Sequence, residues 1–171
     1  TVPTAPSVTL STEAWTNQNV TVTIASGTDG QSGVNRTEYR TRLNSGSWTA
    51  WTRYTVPFTI SVEGQTEVVA RTIDNAGNTS IPSPLKIALI DTTDPTPPSV
   101  SLSTEEWTNQ NVIATITPGT DAISGVNRVE YRTRMDSGSW SSWATYTAPV
   151  IIEDLGQTSI EARTVDNAEN V

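Results

Sequence analysis

Val20-Thr-Val-Thr-Ile24 alternates strictly between apolar and polar residues, the period of an extended strand that buries one face and wets the other. Working outward, Ser7-Val-Thr-Leu10 alternates behind Pro6 and reads as a preceding strand, and Gly27-Thr-Asp-Gly-Gln-Ser-Gly33 as a turn-rich loop. Beyond the loop, Thr37, Tyr39 and Thr41 share one parity while Arg36, Glu38, Arg40 and Arg42 share the other. That pattern predicts a strand with one buried face and a charged ladder in water. Asn44-Ser-Gly46 is a hairpin turn signal. Further strands are expected over residues 48–54, 58–62, 66–74 and 84–90, with Trp15 as a plug at the end of the core. Seven short alternating strands within about 90 residues predict an antiparallel β-sandwich of immunoglobulin or fibronectin-III type.

The unit is written twice. Trp15-Thr-Asn-Gln-Asn19 returns as Trp107-Thr-Asn-Gln-Asn111, Trp48 and Trp51 return as Trp140 and Trp143, and Ala70-Arg-Thr-Ile-Asp-Asn-Ala76 returns as Ala162-Arg-Thr-Val-Asp-Asn-Ala168, every pair 92 positions apart. Between the copies runs Asp91-Thr-Thr-Asp-Pro-Thr-Pro-Pro98, whose prolines restrict their own φ and the residue before each. The expected fold is therefore all-β: two tandem antiparallel immunoglobulin-like β-sandwiches, repeat 1 over residues 1–92 and repeat 2 over 93–171. The counterpart of residues 80–90 is missing from the second copy, so that sandwich is expected to lack its last strand and to expose an edge. This reads as a piece of a longer array.

Composition narrows the function classes. The net charge of −8 opposes nucleic acid as a partner. It is unevenly shared, with 7 acidic and 6 basic residues in 1–92 against 11 and 4 in 93–171. No apolar run reaches membrane-span length. With no His and no Cys, the commonest general base and the thiol nucleophile are both absent, and the chain is read as non-catalytic.

Trp15-Thr-Asn17, Asp29 with Ser32-Gly-Val34, Glu38-Tyr39, Gly46-Ser-Trp48, Tyr54, Pro57, Gly64 and Asp74-Asn-Ala-Gly-Asn78, followed by the Asp-Thr-Thr-x-Pro linker, resemble the bacterial immunoglobulin-like repeats of large cell-surface and secreted proteins. The resemblance covers both copies nearly end to end. It implies an extracellular setting and a role as spacer, adhesin stalk or accessory module, with neighbouring repeats as partners and, in some members, calcium where modules meet. The second copy departs from the pattern at Glu169, where the first has Gly77, which puts the tight turn there in question.

Two constellations are candidate sites. In this topology the loops after the second and sixth strands share a pole, so Asp121 and Asp166 are expected to meet at the end of repeat 2 where the linker enters with Asp91 and Asp94. Four carboxylates with nearby carbonyls can supply the oxygen ligands calcium prefers. Asp29 and Asp74 form an incomplete equivalent in repeat 1. The alternative for all six is the ordinary work of loop aspartates, accepting backbone N–H groups or meeting water. The second constellation is Trp51 and Trp143 beside Arg40, Arg42, Arg132 and Arg134. Trp48 and Trp51 differ in parity, so one of each pair is expected to face outward, either to grip a glycan or receptor or to stack on arginine, while the other fills the core. The leading reading is a structural spacer of an extracellular bacterial surface or secreted protein, stiffened by calcium at the joint. Alternatives are a carbohydrate- or receptor-binding adhesin module and a subunit of a donor-strand surface filament.

Overall fold

A computed structural model describes residues Thr1–Val171. The chain divides into two units, Thr1–Thr92 and Thr93–Val171. Every ordered element is a strand, and every strand pairing is antiparallel.

The first unit has β1 (Ser7–Leu10), β2 (Val20–Ala25), β3 (Val34–Leu43), β4 (Thr52–Arg53), β5 (Phe58–Ile60), β6 (Gly64–Asp74) and β7 (Lys86–Ile90). They form two sheets, ordered β1-β2-β5 and β4-β3-β6-β7. The strict alternation of β2 becomes strict alternation of burial, with Val20, Val22 and Ile24 inside. Val8, Leu10 and Ile60 extend that inner face, and Val68, Ala70, Ala88 and Ile90 meet it from the opposite sheet. Tyr39, Tyr54 and Phe58 close the core at one side, with Tyr39 stacked on Phe58 at 4.2 Å and edge-on to Tyr54 at 6.4 Å. The Tyr54 hydroxyl accepts the backbone N–H of Ile24 at 3.1 Å, so its polar end is satisfied beside the core.

The second unit has β8 (Ser99–Leu102), β9 (Val112–Thr117), β10 (Val126–Met135), β11 (Ala144–Thr145), β12 (Val150–Ile152) and β13 (Thr158–Asp166), in sheets ordered β12-β9-β8 and β11-β10-β13. No strand pairs with the outer edge of β13, where β6 has β7. Val150 stands where Phe58 does, so the ring stack of the first core is reduced to Tyr131 against Tyr146 at 6.3 Å.

Close approach explains one glycine in each unit. A Cβ on Gly27 would lie 1.9 Å from the Thr4 carbonyl oxygen, and one on Gly119 would lie 1.7 Å from that of Thr96. These contacts let the chain leading into the first strand pair with the loop after the second: Thr4 N–H donates to Thr28 O at 2.9 Å, and Thr96 N–H to Thr120 O at 2.8 Å. At the other end of the first unit, Thr92 donates its N–H and hydroxyl to Glu63.

Three expectations are corrected. The tryptophan stretch 48–54 is strand only over Thr52–Arg53. Residues 84 and 85 lie outside β7, since proline cannot donate to a ladder. Trp15 is half-buried but outside the core cluster, and Trp107 is 85% exposed, so neither plugs a core.

Candidate functional site

Because residues 46–51 form no strand, period-two parity does not carry across Trp48 and Trp51. Thr49 N–H donates to Thr41 O and Thr49 Oγ1 accepts from Thr41 N–H, which pins this stretch against β3. Both indoles then fall on the outer face of the β3–β6 pair, interleaved with arginines. The order is Arg42, Trp48, Arg40, Trp51, Arg71, with guanidinium-to-ring distances of 4.6, 4.7, 4.6 and 4.2 Å. The second unit repeats it as Arg134, Trp140, Arg132, Trp143, Arg163 at 4.7, 4.9, 4.5 and 4.3 Å. The expectation that one tryptophan of each pair fills the core is thus overturned. The cores are filled by tyrosines and aliphatics, and each indole carries two guanidinium contacts.

The charged ladder is not simply solvated either. Glu38 is 9% exposed and accepts from Arg36 Nε on one oxygen (2.7 Å) and from Arg71 Nε and Nη2 on the other (2.9 and 2.7 Å). Burial pushes the Glu38 carboxyl up, but the two guanidinium groups outweigh it and hold it below the usual range. Glu130 is held down chiefly by Arg128, against burial and with help from Arg163. An indole lies over one arginine of each network, Trp51 over Arg71 and Trp143 over Arg163, and the Glu38 and Glu130 side chains are each only 12% exposed, where a charge-assisted bond is stronger than in water.

The two stacks differ in which arginine receives a second carboxylate. In the first unit Arg42 sits opposite Glu67 and forks onto it (2.9 and 2.7 Å), while Arg40 sits opposite Val69 and its buried Nε has no hydrogen-bond partner. In the second unit Arg132 sits opposite Glu161 and pairs with it, while Arg134 sits opposite Ser159 and its Nε is the one left without a partner.

The acidic loops take a hydrogen-bonded form in both units. Asp29 Oδ2 accepts the N–H groups of Gln31, Ser32 and Gly33 and the Ser32 hydroxyl, and Oδ1 accepts the Thr1 hydroxyl. Burial acts upward on its carboxyl, and these donors together bring it down to about 2. Asp74 accepts the N–H groups of Ala76 and Asn78 on Oδ1 and the Asn78 side-chain amide on Oδ2, and Asn78 is the main reason its carboxyl is held low. Asn75 ties the two loops together by donating to the carbonyls of Ser32 and Gly33.

In the second unit Asp121 Oδ2 accepts the N–H groups of Ile123 and Gly125, and Asp166 accepts those of Ala168 and Asn170 with the Asn170 amide. As the topology requires, Asp121 and Asp166 meet, with carboxylate oxygens within 4.8 Å of each other. Asp94 is exposed, and in the first unit the Asp91 N–H donates to Thr16 O just past the end of β7.

The turn at Glu169 survives the loss of glycine. Glu169 takes φ 68°, close to the 89° of Gly77. Its carboxylate accepts both Nη groups of Arg128 at 2.8 Å and the Asn127 amide, and Arg128 holds it ionised at lower pH than a free glutamate. Nothing in the sequence alone pairs Glu169 with Arg128, since the contact joins β10 to the loop after β13.

No protein-family model and no curated protein matches the chain. Solved structures similar to it include fibronectin(III)-like modules of Clostridium thermocellum CbhA, at 14% identity over 96% of this chain and 88% of that one with a TM-score of 0.40. The FN1–FN3 domains of chicken CNTN1 match at 16% identity over 98% of this chain and 64% of that one, TM-score 0.41. A structure of carbohydrate-binding modules from the β-sandwich superfamily matches at 15% identity over 96% and 97%, TM-score 0.41. Likenesses at this level say nothing of a ligand, and the fold stands on the strand order itself.

Proposed function

We propose that the chain is a non-catalytic structural segment of an extracellular surface or secreted protein, in which each β-sandwich serves as a stiff spacer. One observation supports this above the rest. Trp48, Trp51, Trp140 and Trp143 are each engaged by two guanidinium groups, from Arg40, Arg42 and Arg71 in the first unit and from Arg132, Arg134 and Arg163 in the second. A ring used to grip a sugar needs a free face.

A finer element of the proposal is calcium held by Asp121 and Asp166 of the second unit. Both loops are already closed by N–H donors, so the ion would add rigidity to formed loops, drawing the two carboxylates together with carbonyl oxygens as its remaining ligands. Melting temperatures in calcium and in EDTA test it. A rise with calcium that Asp121→Asn abolishes supports it, and equal values remove it.

The second reading is a contact with acidic glycan or an acidic receptor. Eight of the ten basic residues (Arg36, Arg40, Arg42, Arg71, Arg128, Arg132, Arg134 and Arg163) lie on the stacked face, in a chain of net charge −8. Calorimetric titration with polysaccharides separates the two readings. The spacer reading expects no saturable heat. Saturable binding lost in Trp143→Ala, with the fold intact, would replace it with recognition.

A further inference from the structure

The stacked faces of the two units balance their charge differently. In the first, Arg36 and Arg71 share Glu38, and Arg42 takes Glu67. These pairs leave out Arg40, whose guanidinium lies against Trp48 and Trp51 at 4.7 and 4.6 Å and whose Nε is buried without a partner. β4 brings a further arginine to the margin of the face. Arg53 stands opposite Glu38 in the β3–β4 pairing, which sets both side chains on the same side of the sheet, and it is exposed and makes no ion pair. Five guanidinium groups therefore meet two carboxylates.

The second unit keeps the stack and loses the excess. Thr145 stands opposite Glu130 where Arg53 stands opposite Glu38, and Glu169, in the place of Gly77, pairs with Arg128. Its four arginines meet three carboxylates, Glu130, Glu161 and Glu169, and Arg134 alone is left without one. The rest of the first unit sharpens the contrast. Five of the six basic residues in 1–92 belong to this face, but only two of the seven acidic ones. A patch of one sign attracts a polyion even where the net charge of the chain opposes it.

We infer that this face of the first unit binds an acidic polysaccharide through Arg40 and Arg53. The inference rests on the second reading above, contact with an acidic ligand, and gives it a place and a ligand class. Because indoles lie over the Arg40 guanidinium and its Nε is enclosed, an oxyanion meets it end-on at the two Nη groups. Arg53 is its diagonal neighbour across the β3–β4 pair, about 7–8 Å away by strand geometry, so the two suit successive oxyanions of one chain. Recognition is by charge alone. Trp48 and Trp51 each carry two guanidinium groups, which leaves no ring for a nucleobase or a neutral sugar to stack on. An acidic peptide gains no main-chain ladder here, since β3 and β6 are interior to their sheet and β4 is two residues long. The rings keep their structural role, because the contact uses guanidinium edges and not indole faces.

The test uses the whole chain and fluorescein-labelled polygalacturonate, read by anisotropy, beside neutral dextran and poly-glutamate. Polygalacturonate should bind saturably at about 50 mM salt and be released near about 500 mM, where the screening length falls several-fold. Neutral dextran should not bind. Poly-glutamate, a flexible coil with more ordering entropy to lose, should bind at least about threefold more weakly. Arg53→Thr installs the second unit's residue at an exposed position and should weaken binding at least about threefold, while Thr145→Arg should strengthen it about twofold or more, both with unchanged far-ultraviolet spectra. Three outcomes overturn the inference. Absence of binding at about 50 mM salt would remove the second reading with it. Binding that Arg53→Thr leaves unchanged would keep that reading and remove its placement on the first unit. Poly-glutamate bound as tightly as polygalacturonate would make an acidic polypeptide the ligand.

Discussion

Arg132 and Glu161 pair across β10 and β13 at 2.6 Å, at the rung where the first unit has Arg40 opposite Val69. The carboxylate has moved by two residues, to the next position on the same face, between the copies, and in each the arginine left behind has a buried Nε without a hydrogen bond. A buried donor left unmade costs on the order of 1–3 kcal/mol. Ser159→Glu would give Arg134 the carboxylate that Glu67 gives Arg42, and we expect it to stabilise the second unit by about 1 kcal/mol. The converse change, Glu67→Ser, removes a carboxylate whose side chain is only 10% exposed and should cost about 2 kcal/mol. Urea unfolding of both variants checks the pair.

Glu169 sets a strained backbone against a surface ion pair. The left-handed conformation costs a residue with a Cβ about 1–2 kcal/mol, and an exposed pair returns about 0–1. Glu169→Gly should therefore leave the second unit equally or slightly more stable. Glu169→Ala, which keeps the strain and loses Arg128, should destabilise it. Melting temperatures that rank the alanine variant above the glycine variant would contradict this balance.

The depressed carboxyls fix the sign of the acid response. Asp29, held at about 2, and Asp74, Glu38, Glu130 and Glu169, all held below their ordinary values, are more acidic folded than unfolded. Their contribution is complete above the unfolded values of 3.8 for Asp and 4.5 for Glu and is lost as pH falls through the folded ones. Stability from these groups should be level between about pH 7 and 5.5 and decline below about pH 4.5. Chemical denaturation along a pH series measures it, and a stability that rises on acidification would oppose the assignment.

What could be read in the sequence is what period two governs. The alternation in β2 and the shared pole of the loops after β2 and β6 follow from strand geometry, and Asp121 meets Asp166 for that reason. Parity failed at Trp48 and Trp51 because it holds only along a continuous strand, and β4 is two residues long. Whether a ring faces core or water there depends on how residues 47–51 are pinned to Thr41, a contact made through space. The Glu38 network was hidden for a similar reason. Its second arginine, Arg71, comes from β6, and a face that reads as charged can still bury a carboxylate when an indole covers the arginine paired with it.

The most direct test of the account is thermal unfolding of Trp143→Ala. If the stacked ring holds the fold, deleting its contacts with Arg132 and Arg163 and opening Glu130 to water should destabilise the second unit by about 2–4 kcal/mol. The first unit should melt unchanged. A variant that unfolds at the wild-type temperature would show that the ring is not structural and would return it to the role of a binding surface.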